Sequence, residues 1–109
     1  MISDDEIQKA LDYLRDNAVK AAQARANRAY VEEYRKTVKA QIMKDHGGES
    51  LGAQEREAYS DSRYVEHLKA IKEAVYADEY HRWMMSAAEA KIEAWRTQQA
   101  NTRAMERLR

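Results

Sequence analysis

The chain reads as all-α: two long antiparallel helices, a helical hairpin with a short connecting helix, assembled as an oligomeric helical bundle. Three observations carry that reading. First, proline is absent, and the only glycines, Gly47, Gly48 and Gly52, fall within six residues, so a long helical pattern is punctuated once. Second, Ala, Glu, Lys, Arg and Gln dominate, the residues that lose least on entering a helix, and no hydrophobic run alternates with period two. Third, Phe is absent and mean hydropathy is -0.92 despite a hydrophobic fraction of 44%, because much of that fraction is alanine. A monomer with so few large apolar side chains buries little area, and small helical chains often compensate by associating. At 109 residues the sequence is one domain.

Helix 1 is expected over about 4–46. Ser3 is placed to cap it, with Glu6 three residues later as the capping-box partner and Ile2 and Ile7 as the hydrophobic staple. Asp4 and Asp5 suit the positive end of the helix dipole. The helix runs to HGG at 46–48, where Gly47 is expected to take a left-handed conformation. The connection covers 47–61, with Ser50 capping a short helix over 53–59. Ser60, Asp61 and Ser62 are candidate caps for helix 2, expected over about 62–106.

The apolar stripes change face along both helices. Ile7, Leu11, Leu14, Ala18 and Ala22 share one side of helix 1, whereas Val31, Tyr34, Val38 and Ile42 lie nearly opposite. In helix 2, Tyr64, Leu68, Ile71 and Val75 form one stripe; Tyr80, Met84, Ala87, Ala88 and Trp95 form another. One hairpin partner needs one face, so two faces imply two neighbours. Either the helices break near 21–29 and 76–80, or each hairpin packs internally at one end and on another chain at the other. The second is preferred, because alanine at 21–29 favours an unbroken helix. The expected oligomer, a dimer, then uses Tyr34, Val38, Trp83, Met84 and Trp95.

Charge supports the antiparallel pairing. The formal net charge is zero, yet residues 1–19 carry -3, 20–44 carry +5, 45–79 carry -5 and 80–109 carry +3. Folding the chain near residue 53 lays opposite signs together. Each surface pair is weak, but together they select orientation.

Candidate sites follow from these charges. Arg25, Arg28, Arg35, Lys36 and Lys39 line the second half of helix 1. Arg96, Arg103, Arg107 and Arg109 line the end of helix 2, with Gln98, Gln99, Asn101 and Thr102 among them. Arginine binds phosphate, and Gln and Asn read base edges, so Arg25, Arg28, Arg35, Lys39, Arg96, Arg103 and Arg107 are candidate nucleic-acid or partner contacts. The competing reading is a solvated face paired with acidic neighbours, since a pI near 6.8 leaves no whole-domain basic footprint.

No metal site or cofactor is expected. His46, His67 and His81 have no ligand spacing, no cysteine exists, and His46 suits the negative end of helix 1. No catalysis is expected either. Glu32–Glu33 and Asp78–Glu79 are adjacent and splay apart, and no phosphate loop or nucleophile elbow occurs. The acidic start MISDDEIQKA lacks a signal-peptide pattern and no run reaches transmembrane length, so a cytoplasmic protein with no membrane contact is expected.

The segments SLGAQEREAYSDSRYVEHLKAIKEA and AAEAKIEAWRTQQANTRA resemble small uncharacterised helical proteins encoded by tailed phages and prophages near recombination and replication genes. The resemblance covers roughly residues 20–104. It implies a phage setting and an accessory role in DNA metabolism, with DNA or a DNA-processing protein as partner, and it carries over no catalytic residue. The alternative class is a protein-interaction module, such as a phage-encoded inhibitor or adaptor of a host protein, without DNA binding.

Overall fold

The computed structural model describes residues 1–108; Arg109, expected in the basic end of helix 2, lies outside the described residues. It is all-α: α1 (Asp4–Asp45), α2 (Leu51–Ser60) and α3 (Ser62–Arg107). Both long helices are unbroken through 21–29 and 76–80. No helix among the described residues is long and apolar enough to cross a membrane.

The helix ends follow local chemistry. The Glu6 N–H donates to Ser3 Oγ at 3.2 Å, and Ser3 Oγ lies 3.4 Å from Glu6 Oε1. Ser50, in extended conformation, accepts from the Ala53 N–H at 3.2 Å and starts α2 two residues before the expected 53. Asp61 serves both neighbouring helices. Its N–H donates to Ala58 O at the end of α2, and its Oδ1 accepts from the Arg63 N–H at 2.8 Å at the start of α3. The expectation for Gly47 is corrected: no glycine has positive φ. The chain leaves α1 instead through two tight turns, His46 N–H to Met43 O and Glu49 N–H to His46 O, each 3.0 Å. Successive i to i+3 turns close a helix without a left-handed residue. His46 engages Glu49, with Nδ1 3.1 Å from Glu49 Oε2.

The chain packs as two compact units. One is Ala22–Asp78, an antiparallel helix pair closed by α2. Its core is Ile42, Ala58 and Tyr64, with Val38 and Met43 packed against it; Ala74 is buried farther along α3. Polar contacts hold its arms. Arg63 reaches Asp45 at 2.9 Å, and Arg28 reaches Asp78 at 3.2 Å, pairs whose midpoints fall inside α2. His67 Nε2 lies 2.6 Å from Val31 O. A carbonyl only accepts, so that nitrogen carries the proton.

The other unit joins Met1–Ala21 to the chain from Glu79 onward. Ile7 and Ala10 are its buried residues. The Ile2 N–H donates to Gln98 Oε1 at 3.0 Å, tying the start of the chain to the late turns of α3. Leu14, Met85, Ala88, Ile92 and Trp95 are half-buried. The stripe expected from Tyr80 to Trp95 therefore divides: Ala88 and Trp95 turn inward, whereas Tyr80, Met84 and Ala87 are exposed. Met84 and Trp95 are eleven residues apart and only about 20° around the helix from each other, so position along the helix, not face alone, separates them.

Candidate interaction surfaces

The expected contact residues are placed very differently from one another. Among the basic ones, Arg28 is tied to Glu32 at 3.0 Å and to Asp78, where the acid is only 15% exposed. Lys39 donates to Tyr59 Oη at 2.9 Å, lies 4.8 Å above the Tyr59 ring and has Glu55 at 3.8 Å. That hydrogen bond, ahead of the electrostatic effect of Glu55, raises the lysine pKa. Arg96 pairs with Glu93 at 2.9 Å, one turn back on the same helix. Arg25, Arg35, Arg103 and Arg107 are exposed and make no ion pair among the described residues.

The structure does not gather these cations into one field. Ala22–Asp78 carries ten basic and ten acidic side chains, and the other unit nine of each by sequence. Among the described residues, only Lys39, over Tyr59, is set against a ring. On α1, Tyr30 and Tyr34 lie well over 90° around the helix from Arg25 and Arg28. A single-strand platform needs stacking rings and a cationic track side by side. Gln98, expected between the arginines of a base-reading surface, is instead the acceptor for Ile2, and Thr102 donates to Gln98 O at 2.9 Å.

The aromatic and apolar residues give the clearer surfaces. In Ala22–Asp78, Tyr30 and Tyr34 stack with centroids 5.7 Å apart and planes 21° off parallel. Tyr34 also meets the His67 ring at 5.7 Å. Tyr30 is 65% exposed and Tyr34 37%. Val38, expected at an interface between chains, is taken by the core around Ile42. In the other unit, Trp83 is 70% exposed, with Tyr80 and Met84 also open. Trp95 is half-buried, and its Nε1–H has no acceptor among the described residues, as does His81 Nδ1 lack a partner.

At the start of α3, Arg63 gathers Asp61 and Asp45. Its guanidinium holds the Asp61 carboxyl below the usual carboxylate range, helped by the Arg63 N–H. An open surface dent lies along α3 at Lys69, Lys72, Glu73 and Tyr76. Side chains on successive turns of one helix cannot surround a substrate and exclude water. No group of three metal-ligating side chains occurs among the described residues.

The exposed aromatics were legible in the sequence as residue types, but their exposure was not. Tyr34 and Val38 sit four apart on one helix, yet one ends on the surface and the other against the core. No protein-family model matches this chain, and no curated protein or solved structure shows significant similarity to it.

Proposed function

We propose that this chain is a non-enzymatic protein-interaction module, in which exposed aromatic helix faces dock onto other proteins. One observation carries the reading: six of the nine large rings, Tyr30, Tyr34, Tyr59, Tyr76, Tyr80 and Trp83, are outside. Tyr76, Trp83 and Tyr30 are 65–72% exposed, whereas the buried residues are two isoleucines, three alanines and one tyrosine. Trp and Tyr, with Arg, supply most binding energy at protein interfaces, and Met is enriched there. Charge supports the same reading, since a neutral balance within each unit supplies no long-range pull on a polyanion. Under the phage setting that the resemblance implies, the partner is a host or DNA-processing protein in the host cytoplasm, with this chain as its inhibitor or adaptor.

The test is capture of partners by the tagged chain from lysate, with and without nuclease. The reading predicts one dominant partner that survives nuclease and is lost when Tyr30→Ala and Tyr34→Ala are combined. Both rings are on the surface, so circular dichroism of that variant should match the wild type. Loss of the partner on nuclease treatment contradicts the reading.

A second reading, an accessory factor of phage recombination or replication that binds DNA directly, rests on Arg25, Arg35, Arg103 and Arg107, which are exposed without acidic partners among the described residues. It predicts micromolar binding to single-stranded or duplex DNA that weakens steeply between two salt concentrations; Arg103→Ala and Arg107→Ala should each bind more weakly and with a shallower salt dependence. Absence of salt-sensitive binding removes it.

A further inference from the structure

We draw no further inference here: the strongest candidate, the surface ring cluster of Tyr30 and Tyr34 on α1 with His67 on α3, belongs to the interaction surface already described, and nothing in the structure shows what covers it.

Discussion

Ile42 is the one large side chain with no exposure at all among the described residues, and it is held by Ala58 and Tyr64 with Val38 and Met43 around them. With so few neighbours of its kind elsewhere, its truncation falls on the best-packed point of Ala22–Asp78. Ile42→Ala should cost about 2–5 kcal/mol, read as a lowered denaturation midpoint. Asp61 is a second pivotal residue, since it closes α2, caps α3 and binds Arg63. Its carboxyl pKa is depressed in the folded chain. A depressed carboxyl stabilises above its unfolded pKa, and that stabilisation is lost as pH falls through the ordinary carboxylate range to the lower folded value. Asn at this position keeps the cap but removes the charge. Unfolding measured from neutral to acid pH should therefore show a shallower loss of stability for Asp61→Asn than for the wild type.

At the scale of the element, helix ends were far more legible than helix faces. Ser3, Ser50 and Asp61 announce their helices because a short polar side chain beside an orphan N–H is a local arrangement. Gly47 misled because a helix can also end through tight turns, and nothing local distinguishes the two exits. Faces are a matter of tertiary contact. The apolar pattern grouped Met84 with Trp95, but the structure turns Trp95 inward and leaves Met84 outside. Trp83 should behave as a surface residue in the single chain and an anchor in the dimer expected from the sequence. Trp83→Ala should leave the far-ultraviolet spectrum unchanged and weaken self-association about tenfold or more. A loss of helicity in that variant would place Trp83 in the fold itself.

For the whole molecule, composition announced the class and the thin interior, whereas the distribution of charge decided less than it promised. The alternating acidic and basic quarters do pair, as Arg28 with Asp78 and Lys39 with Glu55 show in Ala22–Asp78. Each unit is neutral in sum, and of the cations that looked like a nucleic-acid surface Arg28, Lys39 and Arg96 are held by acidic neighbours, whereas Arg25, Arg35, Arg103 and Arg107 stay open. Among the charged residues that cover the surface, large aromatic and apolar side chains such as Tyr30, Tyr76 and Trp83 also stand open to solvent. We propose that these surfaces serve protein contact, first of all the association expected of a chain with so thin an interior. Sedimentation equilibrium from about one to several hundred micromolar tests it most directly. The account predicts an average mass that climbs from the 12.7 kDa of one chain toward twice that value. A mass that stays at one chain throughout would contradict it.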